Sequence, residues 1–268
     1  MLGFGASGKR AESLRMSSTC TRSLLAGAAL SMTIAVPAAA DFKVQYPDAE
    51  TGEFGIEPIG DIGQDPLAAH NGELSSVQEF EYGVNSFWRT ELELEQERAA
   101  GPGESIHFSQ VTWENILQFT ERGQYWMDSG FFFELGKTTL ADTPNEATFG
   151  PIFRKEFFHT INTLNLFIEH DVGTAYASGR PGFLYAWETR IALGTPIEPG
   201  FQAYGQPSGF PEYNSGWPQD NRIGPQLFGT IFHLGPGDLR WNGGILFGIR
   251  PWAPRETWRW QAEYEIHF

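Results

Sequence analysis

The chain has almost no cysteine. In 268 residues there is one, Cys20, and it lies ahead of the first apolar run. A disulfide framework and a thiolate metal centre are therefore both excluded. The six histidines, His70, His107, His159, His170, His233 and His267, form no H-x2-H, H-x3-H or HExxH pattern, so an imidazole-based metal site has no basis in the sequence. There is no GxSxG elbow, complete P-loop or strand-preceded Rossmann fingerprint, and no cofactor is expected. Positive charge is scarce too: 18 Lys and Arg stand against 33 Asp and Glu, a net of −15. That balance repels a phosphate backbone and speaks against a nucleic-acid partner. After residue 40 no apolar run approaches the ~18 residues that a helical membrane span requires.

The N-terminus supplies the one long apolar stretch. Lys9, Arg10, Arg15 and Arg22 precede LLAGAALSMTIAV, which is followed by PAAA and Asp41. A basic region, an apolar region and small residues at a cleavage point are the parts of a secretory signal, and the cut is expected after Ala40. Translation starts at Met1 or at Met16. Cys20 lies upstream of the apolar run rather than at the cut, which is not the arrangement of a lipoprotein. Removing residues 1–40 leaves 14 basic and 32 acidic residues, a net of −18. Residues 41–52 read as a short periplasmic lead-in.

From residue 53 onward the chain alternates with a period of two. In WRTELELE (88–95), Trp88, Thr90, Leu92 and Leu94 stand on one face, opposite Arg89, Glu91, Glu93 and Glu95. In LYAWETRIAL (184–193), Tyr185, Trp187, Thr189, Ile191 and Leu193 oppose Glu188 and Arg190. Strict alternation is the mark of a strand, because a helix would repeat every three to four residues. Twelve such segments are expected, at 53–63, 76–84, 87–98, 105–119, 125–136, 147–158, 162–171, 182–194, 198–206, 221–233, 239–249 and 256–268. The first, sixth and ninth are the least regular, since Pro and Gly interrupt them.

Short and long connections take turns along the chain. Asn85-Ser86, 121–124, Thr160-Ile161, 194–197 and 233–238 are tight. Residues 62–74, 99–105, 137–147, 173–182 and 206–220 are longer, polar and rich in Gly and Pro. RPWAPR (250–255) is short for its place in that series. A transmembrane barrel carries short turns on one rim and longer loops on the other, an order that a soluble sandwich has no reason to keep. No linker divides 53–268, which reads as one domain. The fold class expected is all-β: a transmembrane antiparallel up-and-down barrel of about twelve strands.

The two faces of the alternation then acquire roles. Trp88, Trp113, Tyr185, Trp187, Trp241, Trp258, Trp260, Tyr264 and Phe268 lie on the apolar parity, as an aromatic girdle at the lipid headgroups would. The polar parity would line the lumen. Its acids are Glu79, Glu81, Glu91, Glu93, Glu95, Glu114, Asp128, Glu134, Glu169, Glu188, Glu263 and Glu265, and its arginines Arg89, Arg154, Arg190, Arg240 and Arg259.

The final residues, WRWQAEYEIHF, end on alternating Tyr264, Ile266 and Phe268. In this the chain resembles the Gram-negative outer-membrane β-barrels, which close on such a strand. EFEYGVNSFWRTELELE (79–95) is similar to stretches of small outer-membrane transporters. The resemblance covers essentially all of 53–268. It implies outer-membrane lipids as surroundings, recognition of the last strand by the barrel-assembly machinery, and a bacterial outer-membrane location.

An excess of carboxylates in a confined lumen sets a negative potential that admits cations and repels anions. The expected function is a narrow, acid-lined channel for passive passage of small cationic or neutral solutes. The alternative is a closed structural or surface barrel acting through its loops. A remote alternative is enzymatic. His107 and Ser109 are spaced as the His and Ser of outer-membrane phospholipases are, on the parity of Val111 and Trp113. The flanking SIHFSQVTW departs from that motif, however, and supplies no Asn to orient the histidine.

Overall fold

The computed structural model of the protein describes residues 43–141, 143–173, 181–206, 220–249 and 253–268. The expected signal segment 1–40 with Cys20, and residues 207–219 of the longest loop, lie outside the described residues. Twelve strands follow one another: β1 Glu53–Gln64, β2 Leu74–Asn85, β3 Trp88–Arg98, β4 His107–Gln118, β5 Asp128–Thr138, β6 Asn145–Phe157, β7 Thr160–Val172, β8 Gly182–Ile191, β9 Ile197–Gln206, β10 Asp220–Leu234, β11 Gly237–Gly248 and β12 Glu256–His267. Each pairs antiparallel with its neighbours in sequence, and β1 pairs with β12, so the sheet closes into an up-and-down barrel.

Every expected segment is a strand, the three irregular ones included. Closure explains this, because each strand has two neighbours and a proline can spoil only one ladder. Pro58 pairs with Gln78 of β2 but has no partner on β12. Pro151 pairs with Phe131 of β5 but not with β7. Pro199 pairs with Leu227 of β10 but has no partner on β8. Each lacks the N–H that the missing partner would need, and the opposite side holds the strand in place.

The polarity is inverted relative to a soluble protein. Glu57, Glu79 and Glu91 are each 1% exposed, whereas Trp113, Trp258 and Trp260 are 47–48% exposed. Buried polar groups and a continuous exposed apolar surface both demand an explanation, and here the strand alternation produces both at once. Rings on the outer face lie over glycines of the next strand. A Cβ at Gly60 would fall 2.4 Å from Trp260 Nε1, and one at Gly229 would fall 2.3 Å from the Trp241 ring. Trp113 donates its Nε1–H to Thr90 Oγ1 (2.9 Å) and Trp88 donates to Asn115 Oδ1 (3.0 Å), so these outward polar groups are covered. Among the described residues no helix is long and apolar enough to cross a membrane; a barrel crosses with strands.

Residues 65–73, 99–106, 139–144, 173–181, 207–219 and 249–255 connect strands at one end, the long-loop end. At the other, the short-turn end, the links are 86–87, 119–127, 158–159, 192–196 and 235–236. The β4–β5 link is longer than the tight turn expected at 121–124.

The N-terminal segment departs most from expectation. Residues 43–49 do not lie outside the barrel as a lead-in. They enter from the short-turn end and run up the lumen. Lys43, Val44 and Gln45 are nearly fully buried. Two glycines make room for the segment. The Glu50 carbonyl lies 1.7 Å from where a Cβ at Gly83 would stand, and Pro47 Cβ lies 3.0 Å from one at Gly130. Val44 packs with Ala186, Tyr204 and Leu246 of the wall. A second inward apolar cluster, Ile116, Phe132, Ile152 and Phe167, fills part of the lumen, with the Phe132 and Phe167 rings stacked at 4.6 Å.

Candidate functional site in the barrel lumen

The lumen site starts from the register. Because partner residues on neighbouring antiparallel strands point to the same face, inward glutamates meet across the ladders. Glu57 faces Glu79, Glu79 faces Glu93, Glu81 faces Glu91, Glu91 faces Glu114, and Glu114 faces Glu134. Like charges directly opposite destabilise a sheet unless something neutralises them. Two cations stand among them. Arg89 Nε lies 2.7 Å from Glu91 and 3.4 Å from Glu81. Lys43, carried in by the N-terminal segment, lies 2.8 Å from Glu57 and 3.2 Å from Glu91, and also bonds Glu79.

Beyond Lys43 the segment is tied to several walls. Gln45 donates its backbone N–H to Asn165 Oδ1 (2.7 Å), accepts from Asn165 Nδ2 at its own carbonyl (2.8 Å), and donates Nε2–H to Glu114 (2.8 Å). The Tyr46 hydroxyl reaches Glu188 at 2.8 Å, and Gln202 Nε2 donates to the same carboxylate at 2.8 Å. Arg154 holds Asp48 at 2.5 Å, and Ala49 donates its N–H to Gln118 at 2.9 Å. The segment is thus a fitted plug.

On the β3–β7 side, towards the long-loop end, no such pairing exists. Glu93, Glu95, Glu134 and Glu169 have acids as their principal charged neighbours. Those of Glu134 are Glu114, Glu146, Glu169 and Glu95; those of Glu93 are Glu114, Glu79 and Glu95. Glu79, Glu93, Glu114, Glu134, Glu146 and Glu169 line one cavity with Lys43 and Gln45.

The opposite wall is the reverse. Arg259 and Asp61 are register partners across the β1–β12 closure and bond at 2.7 Å, with the guanidinium over the Tyr204 ring. Arg222 bonds Asp220 at 2.5 Å, Glu73 at 3.0 Å and Thr257 at 2.8 Å. Arg190 meets Glu198 at 3.1 Å, and Arg240 bonds Glu265. Glu263 lies beside Glu81 and Glu265, and Asp128 accepts the Gly123 N–H at 2.7 Å near the short-turn end.

The girdle residues stand on the outer face. Trp88, Tyr185, Trp187, Trp241 and Tyr264 are half-buried there, while Trp113, Trp258, Trp260 and Phe268 are exposed. His107 and Ser109 are not on that face. A bulge opposite Glu95 and Gln96 shifts the parity of β4, so that Ser109 is buried towards the lumen and His107 sits at the rim, 3.2 Å from Glu97. No hydrogen bond joins the two.

Sequence reasoning missed Lys43, Gln45, Tyr46, Asp61, Asn165 and Arg222. Asp220 and Arg222, two residues apart on one face, offered a signal. The lead-in offered none, because its segment has no period and its partners lie far away in sequence.

No protein-family model matches the chain, and no curated protein sequence does. Among solved structures the chain is similar to Pseudomonas aeruginosa OccK9 (OpdG), with 10% identity, a TM-score of 0.29, and coverage of 81% of this chain and 97% of that one.

Proposed function

We propose that the protein is a bacterial outer-membrane barrel whose acid-lined lumen forms a pathway for small cationic solutes, closed at the short-turn end by its own residues 43–49. One observation carries this reading: seven inward glutamates, Glu57, Glu79, Glu81, Glu91, Glu93, Glu114 and Glu134, face one another across β1–β5 with Lys43 and Arg89 the cations placed among them. A barrel needing only a filled interior has no use for such an imbalance, while a cation pathway requires it. The apolar outer face with its aromatic rings supports a membrane setting, in which lipid covers the exposed tryptophans. The aromatic last strand supports export and insertion by the assembly machinery.

The plug makes the pathway conditional. Its anchors are polar and ionic rather than a large apolar interface, so it can be withdrawn without dismantling the barrel, whose ladders close independently of it. Planar-bilayer recording tests the reading. The full chain is expected to show small, infrequent openings, and a chain lacking residues 43–50 larger, sustained, cation-preferring ones. Silence from both proteins would leave the closed structural barrel as the account, and an anion preference would contradict the proposal outright.

A further inference from the structure

The cavity beneath the acid wall contains an arrangement that conduction alone does not require. One carboxylate oxygen each from Glu79, Glu93 and Glu114 lies within 4.8 Å of the others. A Ca2+-sized ion with bonds of about 2.3–2.6 Å bridges oxygens that far apart. Glu79 and Glu93 are register partners on β2 and β3, and Glu114 comes from β4, so a rigid ladder holds all three. Glu93 is 8% exposed and its principal charged neighbours are acids. Lys43 is already shared by Glu57, Glu79 and Glu91.

A separate observation comes from the plug. Gln45 is 2% exposed, and its side-chain Nε2 donates to Glu114 at 2.8 Å. That bond fixes the amide orientation and leaves Oε1 as a buried acceptor, which receives no hydrogen bond. Gln45 lines the same cavity as the three carboxylates. A buried carbonyl oxygen without a donor costs free energy, and what surrounds this one is itself acceptor-rich. A hard cation held by the three carboxylates would offer this oxygen a partner as well. The cavity, of about 30 Å³, has room for one ion or a water.

We propose that Glu79, Glu93 and Glu114, with the side-chain oxygen of Gln45, form a divalent-cation site in the lumen, with water completing the shell. Three carboxylates with an amide oxygen are a hard, oxygen-only donor set suited to Ca2+ rather than to a thiophilic or imidazole-seeking metal. Because Gln45 belongs to the plug and the glutamates to the wall, the ion joins the two. This inference goes beyond the conduction proposed above, since the site exists whether or not the lumen conducts.

Calorimetry with CaCl2 on the full chain, folded in detergent micelles and stripped with chelator, tests it. One saturable site per chain is expected. Glu93→Gln should weaken it by at least about tenfold, because ligand charge sets affinity in such sites. Gln45→Met, which alters no strand, should weaken it by a smaller factor. Glu156→Gln, at an exposed ion pair with Arg122, should leave it unchanged. Heat-modifiable gel mobility confirms folding of each variant, and Gln45→Met remains the test if Glu93→Gln does not fold. Absence of saturable binding in the unaltered chain overturns the site, as does equal affinity in a folded Glu93→Gln or in Gln45→Met. Since binding is read without a bilayer, failure here leaves the conduction result standing, and the reverse also holds.

Discussion

Two walls of one barrel are built on the same alternation and end in opposite electrostatic states. On β9–β12 and β1, each buried arginine has its acid, Arg259 with Asp61 and Arg222 with Asp220 and Glu73, and the exposed Arg240 meets Glu265 as well. On β3–β7, glutamates face glutamates, and the cations that reach them are Arg89 beside Glu91 and Lys43 on the plug. The paired wall does structural work, including the closure of the cylinder at β1–β12. The acid wall has charge left over, and leftover charge in a confined space acts on mobile ions. A buried carboxylate is therefore not evidence of function by itself; the difference lies in whether the same fold supplies its partner.

The comparison breaks most visibly at the seam. Arg259→Met leaves Asp61 buried without its partner and should cost about 3–5 kcal/mol, the usual penalty for breaking a buried pair. Urea unfolding in micelles would read it; a loss below about 1 kcal/mol, the scale of an exposed pair, would mean that the paired wall is not structural. Lys43→Met comes next. It strips the plug of its one cation, and amides of residues 44–49 should exchange faster with solvent while those of β1 and β12 keep their protection. Protection unchanged at 44–49 would show that Lys43 does not hold the plug.

The acid wall should respond in the opposite sense. Glu134→Gln removes a like charge directly opposite Glu114 and should be neutral or stabilising by up to about 1 kcal/mol. A clear loss of stability there would show that Glu134 has a partner of its own. The smallest effect lies outside the barrel strands. Asp65 accepts from the backbone N–H of Leu67 at 2.7 Å and of Arg255 at 3.0 Å, latching the β1–β2 loop to the chain entering β12. The Leu67 and Arg255 amides, in that order, hold its carboxyl below the usual aspartate range. A lowered pKa contributes above the unfolded value of about 3.9 and is lost as pH falls below it. The two amides should be protected at pH 6 and lose protection as the pH falls through that lowered pKa, by exchange or NMR; protection independent of pH would remove the latch.

How much of this was legible in the sequence follows from the range of each signal. Period-2 alternation is local, so all twelve strands and both faces could be read, even through Pro58 and Pro151, because closure supplies the second neighbour. Direct opposition of Glu79 to Glu93 and of Glu91 to Glu114 needed the register, which a strand does not carry alone. The bulge in β4 reversed the facing of His107 and Ser109, and one inserted residue leaves no mark in composition. The inward Ile116, Phe132, Ile152 and Phe167 add an apolar cluster to a lumen expected to be lined by the polar parity. The plug was hidden most deeply. Asp48 finds Arg154, and Gln45 finds Asn165 across 120 residues, so nothing near VQYPDA (44–49) announces a place inside the barrel.

The central claim is that the acid wall is a cation pathway and that residues 43–49 close it. The reversal potential of the chain lacking residues 43–50, recorded in a planar bilayer across a KCl gradient, addresses it most directly. A potential on the potassium side, reduced when Glu93, Glu134 and Glu169 are together replaced by Gln, is the predicted result. A chloride-side potential, or a potassium preference untouched by the triple replacement, would contradict it.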